Sequence, residues 1–308
     1  MSSPFDSGPF ALAGRPVLVA SHGSPGAMAS VRVALALERT HGASIHVVKV
    51  VDTSAVPMSA GLGIALAMGD AVAGSSVHKE QEDELRATLS TETGQRITWP
   101  VRITIGTFAA AIVREAERIG AALIVMGLRR HGPGDRTLND DTARKVMQRA
   151  PCPVLGVVAG TNALPTRVLA ALDFSSTSIA AARAARALAS QHTHIVLAYV
   201  ASTTQSVPDD GERLIHDLGV DAALAKTRKE LDGAAVTFDE VILHHGRPGS
   251  PAILLLEAAE DAKCDLISAG SARHGRMERW LMGSVSAEIV RDGRFSVLIV
   301  PPADTANG

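Results

Sequence analysis

Short apolar runs alternate with longer amphipathic stretches along the whole chain, and the alternation predicts strands and helices in turn. In the first half, residues 17–20 read as a strand and 21–24 as a turn. A helix is expected at 27–41, with Val31, Ala34, Leu35 and Leu37 as its apolar positions and Gly42 as its stop signal. Strand 45–51, a polar helix at about 77–91, strand 96–105, helix 109–119 and strand 122–126 follow, and helix 142–149 and strand 153–158 close the half. Between the second strand and the polar helix lies a run of small residues, 58–70, expected to be a mobile insertion or a cover helix.

The second half repeats the order. Strand 168–172, helix 179–190, strand 194–200, helix 212–231, strand 235–244, helix 251–261 and strand 265–269 are expected, then a helix opening at Gly283 and a strand at 296–300. The repetition extends to residue identity: Leu123, Ile124, Gly127, His131 and Gly132 fall on Leu266, Ile267, Gly270, His274 and Gly275 at a constant offset of 143. Upstream, Val17 and Leu18 fall on Val168 and Leu169 at an offset of 151. The chain is therefore an internal duplication. We expect an arm at 1–14, a first domain at 15–159, a linker at 160–165 and a second domain at 166–303. Each domain reads as α/β and doubly wound, with a five-stranded parallel sheet carrying helices on both faces.

The stretch from 266 to 290 carries the candidate chemistry. A strand ends at Gly270, a basic loop with glycine follows, and Gly283, Ser284 and Val285 open a helix. A helix start has unpaired N–H groups and a positive dipole end, so a phosphate can sit there without a catalytic residue. In parallel sheets ligands bind beyond the carboxyl ends of the strands, where the turn at Asp173 and the loop at Gly270 both lie.

Composition narrows the picture modestly. The chain has 308 residues, 46% hydrophobic and 20% charged, enough for a core in each half. A net charge of −2 gives no general attraction to nucleic acid or to an anionic membrane. Cys152 and Cys264 read as small core residues in a reducing compartment. Residues 1–10 lack the basic region and apolar core of a secretory signal, and 58–70 is too short and glycine-rich to span a bilayer, so a cytoplasmic protein is expected.

These residues resemble the universal stress protein family, and the whole chain looks like a tandem member. The resemblance rests on an acidic residue after the first strand and a G-x-x-G loop followed, nine residues on, by G-S/T. The spacing of 13 from Gly270 to Gly283 fits it. It implies a Rossmann-like fold, similar to the adenine-nucleotide alpha hydrolases, and a non-catalytic site for ATP or another adenine nucleotide, which magnesium can accompany. Carried over by position, Asp173 stands at the adenine end, Val200 beside the base, Gly270 at the first loop glycine, and Gly283, Ser284 and Val285 at the phosphates. The second loop glycine is replaced by Arg273, with Gly275 two places later. Arginine forgoes the close backbone approach of glycine but can offer a guanidinium fork, so a rebuilt and a weakened site both stay open.

In the first half, Gly283 and Ser284 are matched by Asp140 and Asp141, and Asp173 by His22, so that site is expected to be degenerate, with Asp140 or Asp141 capping the helix that follows. The alternative is a ligand-free scaffold of the same fold. An enzyme would lean on Ser21, His22 and Ser24 or on His131 and His274, but no nucleophile elbow and no metal-ligand spacing supports it. The apolar last strands of both halves suggest that the two domains pair within the chain, with doubling into a homo-oligomer open.

Overall fold

A computed structural model describes residues 10–21, 27–51, 76–128, 139–190, 193–201, 210–232, 236–244, 250–271 and 282–302. The chain divides into two compact units, one spanning Leu12–Ala163 and the other carrying everything from Leu164 onward.

The first unit runs β1 (Pro16–Ala20), α1 (Met28–His41), β2 (Ser44–Val51), α2 (Ser76–Thr93), β3 (Val101–Ile105), α3 (Phe108–Ile119), β4 (Leu123–Leu128), α4 (Asn139–Met147) and β5 (Val154–Val158). Its strands pair in parallel in the order β3-β2-β1-β4-β5. Parallel strands need crossovers, and here the described crossovers contain helices. Val17, Leu18 and Val19 of β1 and Leu123, Ile124 and Val125 of β4 are buried, side chains of both faces alike, which is why these strands are apolar without alternation.

α1 ends where the pattern predicts. Gly42 takes a left-handed φ of 64°, and its N–H bonds to the Glu38 carbonyl. The third strand is shorter than expected, Val101–Ile105 rather than 96–105. Its expected beginning is irregular and tied to two helices instead: the Ile97 N–H is held by Ser90 Oγ of α2 at 2.9 Å, and Trp99 Nε1 donates to Glu38 of α1 at 2.8 Å. The helix expected at 142–149 runs instead over Asn139–Met147, three residues earlier at its start. The small-residue stretch 58–70 lies outside the described residues.

The second unit runs β6 (Arg167–Leu172), α5 (Ser176–Leu188), β7 (His194–Ala201), α6 (Asp210–Leu231), β8 (Thr237–His244), α7 (Pro251–Asp261), β9 (Leu266–Gly270), α8 (Ser284–Asp292) and β10 (Ser296–Val300). Its parallel order, β10-β9-β6-β7-β8, is the first unit's order repeated strand for strand. One face of the sheet packs Ala170, Leu172, Ile195 and Leu197 against Ala182 of α5 and Val220, Leu224 and Leu231 of α6. The intervening Val196 and Ala198 are equally buried, so the opposite face is covered as well. There α7 packs on β6 and β7, and α8 packs on α7 and β10. α5 starts three residues earlier than expected because Ser175 caps it, its side chain accepting from the Ser178 N–H.

Packing at β5 yields a test of the first unit. A Cβ on Gly156 would come within 2.8 Å of Leu128 Cγ and Cδ1 and 2.9 Å of Met147 Cε. Gly156→Ala should therefore lower stability by about 1–3 kcal/mol, the usual cost of overpacking. Urea unfolding followed by circular dichroism reads this directly, and an unchanged midpoint would contradict the packing described.

Candidate functional site

In the second unit the strand order reverses between β6 and β9. These two strands are in register from Val168 opposite Leu266 to Ala170 opposite Ser268, and each then runs on by two residues without pairing. They part toward their carboxyl ends, and parting strands at an order reversal open the crevice in which α/β sheets hold ligands.

One wall is the turn after β6. Asp173 is exposed, and its Oδ1 accepts from the Ser175 N–H at 2.9 Å and from the Ser175 hydroxyl. Partial burial works to raise the Asp173 pKa, but the hydrogen bonds from Ser175 and Ser178 outweigh it and hold the carboxyl below its ordinary value. Phe174 follows at φ 58°, a left-handed conformation unusual for a bulky residue. Its ring packs on Tyr199 of β7, centroids 5.0 Å apart, and that contact holds the turn in place. Val200, next along β7 and opposite Leu243 of β8, is half-buried. It lies on the sheet face opposite Tyr199.

The other wall is the end of β9 with the start of α8. Gly270 has no left-handed φ, so the need for glycine there is steric. A Cβ would meet the Thr177 carbonyl carbon at 2.6 Å and the Ser178 nitrogen at 2.8 Å, backbone atoms of the first turn of α5. The Gly270 carbonyl accepts from Ser286 Oγ at 3.0 Å, which ties the first turn of α8 to the end of β9. Gly283 is the N-cap of α8 and contributes no side-chain cap, while its carbonyl accepts the first helical bond from Ala287 at 2.9 Å. Ser284 is exposed and Val285 half-buried at this bare helix start. Arg273 and Gly275 lie outside the described residues.

The structure thus places Asp173, Val200, Gly270, Gly283, Ser284 and Val285 at the carboxyl end of one sheet. Sequence reasoning missed Phe174, Ser175, Ser178 and Ser286. The run of hydroxyl residues 175–178 just after a strand was a readable cap signal; the Phe174 and Ser286 contacts had none. In the first unit, Asp140 and Asp141 fall within the first turn of α4, which begins at Asn139, and their side chains lie outside the described residues. Acidic residues there suit the positive helix end on their own account. His22 lies outside the described residues.

Neither cysteine offers a thiolate near neutral pH: burial pushes Cys152 up to about 12 and Cys264 to about 11. Among the described residues, no group of three or more His, Cys, Asp or Glu side chains gathers to hold a metal ion. Among those residues, too, no helix is long and apolar enough to cross a membrane.

Comparison with known proteins bears on this geometry. The sequence pattern described as the universal stress protein family matches twice, over residues 14–157 and 165–301. The chain belongs to the universal stress protein family. Two matches in one chain make it a tandem member, and its function falls within that family's. Among solved structures, a universal stress protein from Archaeoglobus fulgidus DSM 4304 is 20% identical, with 93% of this chain and 98% of that chain covered and a TM-score of 0.60. A universal stress protein from Pseudomonas aeruginosa UCBPP-PA14 is 16% identical, with 95% of each chain covered and a TM-score of 0.61. A protein of unknown function from Pseudomonas aeruginosa PAO1 is likewise 16% identical, with 95% of this chain and 94% of that chain covered and a TM-score of 0.61. At such identities the likeness is one of fold. No curated protein matches the chain.

The Asp173 turn makes a testable prediction. Ser175 both caps α5 and bonds Asp173, so Ser175→Ala should cost about 0.5–2 kcal/mol of stability at neutral pH. The lowered Asp173 pKa contributes stability above the ordinary carboxyl range near about 4, and that contribution is lost as pH falls through the lower folded-state value. In Ser175→Ala the Asp173 midpoint should move upward, read by NMR titration of its carboxyl carbon. A midpoint identical to wild type would show that Ser175 does not set it.

Proposed function

We propose that the second unit is a non-catalytic binding module for an adenine nucleotide, ATP first among them, serving stress response or regulation. The observation that carries this reading is the start of α8. In the same unit, α5 and α7 are capped by the side chains of Ser175 and Ser250, whereas α8 begins at Gly283 with no side-chain cap, beside the crevice between β6 and β9. Its first N–H groups are thus the ones a phosphate can use. In this reading Gly283, Ser284 and Val285 hold the phosphates, Asp173 and Val200 flank the base, and Gly270 keeps the backbone close. Arg273 and Gly275 add the loop between them. Magnesium would be held through the phosphates, because the described side chains offer no ligand set.

The first unit is proposed to bind no polyphosphate. A carboxylate about 4 Å from a phosphate oxygen repels it by about 4 kcal/mol at an effective dielectric near 20. A helix start offers about 0.3–1 kcal/mol, or up to about 2 where partly buried. With Asp140 and Asp141 in the first turn of α4, repulsion wins. β5 and β10 are each last in their own unit's strand order and largely apolar, so pairing of the two units along these edges is proposed too, with a homo-oligomer built on that pair as an option. The reading involves no nucleic acid and no membrane, and a cytoplasmic site of action.

A second reading, a ligand-free scaffold of the same fold, is favoured by one observation: the close approach of α5 explains Gly270 without any phosphate. Calorimetry separates the two. ATP should bind wild type at one site per chain. Ser284→Asp, which puts a carboxylate where phosphate would sit, should weaken it by tenfold or more, the scale of a lost hydrogen bond to a charged group. Two equivalent sites, or equal affinity in Ser284→Asp, would exclude this assignment. No binding of ATP or AMP, together with no nucleotide detected by mass spectrometry after denaturing the purified protein, would establish the scaffold.

A further inference from the structure

Two buried serines lie where β9 meets α8. Ser286 is committed, since its Oγ donates to the Gly270 carbonyl at 3.0 Å. Ser271 differs: it is 1% exposed, and among the described residues its Oγ has no hydrogen-bond partner. Its backbone is conventional, the N–H donating to the Val300 carbonyl at 2.9 Å and extending the β9-β10 ladder by one residue. Strand alternation therefore sends the Ser271 side chain to the face opposite that of Gly270. Gly270 faces the first turn of α5, so Ser271 faces the side of the sheet that carries α7 and α8.

A buried hydroxyl without a partner is a standing cost to the fold, and a native structure that keeps one calls for a reason. The duplication supplies a comparison. At the offset of 143, Leu128 stands in place of Ser271 and Ala143 in place of Ser286, both buried. Apolar residues therefore serve these positions in the same fold. The hydroxyls occur in the unit whose helix start bears no carboxylates.

We infer that the Ser271 hydroxyl donates a hydrogen bond to an oxygen of the nucleotide at this site. The inference rests on the nucleotide-binding reading above, and adds a named side-chain donor to it. The acceptor is a phosphate or a ribose oxygen. Ser268 provides the internal control: it is 0% exposed and its Oγ has no partner among the described residues, but it sits within β9 on the same face as Gly270, away from α8.

The test uses the full chain, freed of bound nucleotide, as wild type, Ser271→Ala and Ser268→Ala. Each is titrated with ATP and with adenosine by calorimetry and unfolded in urea. Ser271→Ala should bind ATP at least tenfold more weakly than wild type while its unliganded form is no less stable, because an unpaired hydroxyl is removed. Ser268→Ala should bind ATP as wild type does. If adenosine is also weakened by Ser271→Ala, the acceptor is on the ribose; if adenosine is unaffected, it is on a phosphate. Wild-type ATP affinity in Ser271→Ala overturns the inference and leaves the nucleotide reading standing. So does an equal loss in Ser268→Ala, or a clear loss of stability in unliganded Ser271→Ala. Failure of wild type to bind ATP overturns both.

Discussion

The candidate site depends on one close approach. The first turn of α5 rests on the end of β9 so tightly that no side-chain atom fits at position 270. This contact fixes where β6 hands over to α5, and so where Asp173, Phe174 and Ser175 stand relative to the Gly270 end of the crevice. The carbonyl of the same glycine accepts from Ser286 and fixes the first turn of α8. One residue without a side chain thus anchors two helix starts, with no dedicated binding residue needed to align them. Protein interiors are packed densely enough that such a contact has little freedom to adjust.

The two units illustrate how one fold carries different chemistry. Strand order, crossovers and buried strands are repeated, because burying a parallel sheet on both faces imposes the same pattern on each half. The ends of the strands are free of that demand, and there the halves diverge. Carboxylates occupy the start of α4 where α8 has glycine and serine, and leucine occupies the place of Ser271. The scaffold is conserved between the units by packing, while the loops and first turns differ in charge and hydrogen-bonding capacity.

Apolar runs, helical periodicity and the constant offset determined the order of elements, the duplication and the α/β class from sequence alone. They did so because those signals are local or periodic. The helix opening at Gly283 and the strand ending at Gly270 were also legible, since a glycine-serine step after a basic loop is a local feature. Boundaries failed where a distant partner decided them. Residues 97–99 left the sheet because Ser90 and Glu38 hold Ile97 and Trp99. The reason for glycine at 270 was decided only by tertiary structure. Thr177 lies far from it in the chain and meets it only after the crossover folds back on the sheet. The pairing of Phe174 with Tyr199, the bond from Ser286 to Gly270 and the burial of Ser271 are of the same kind. Sequence specifies which groups each element carries, but a hydrogen bond or a steric limit belongs to a pair of elements and is settled when they pack.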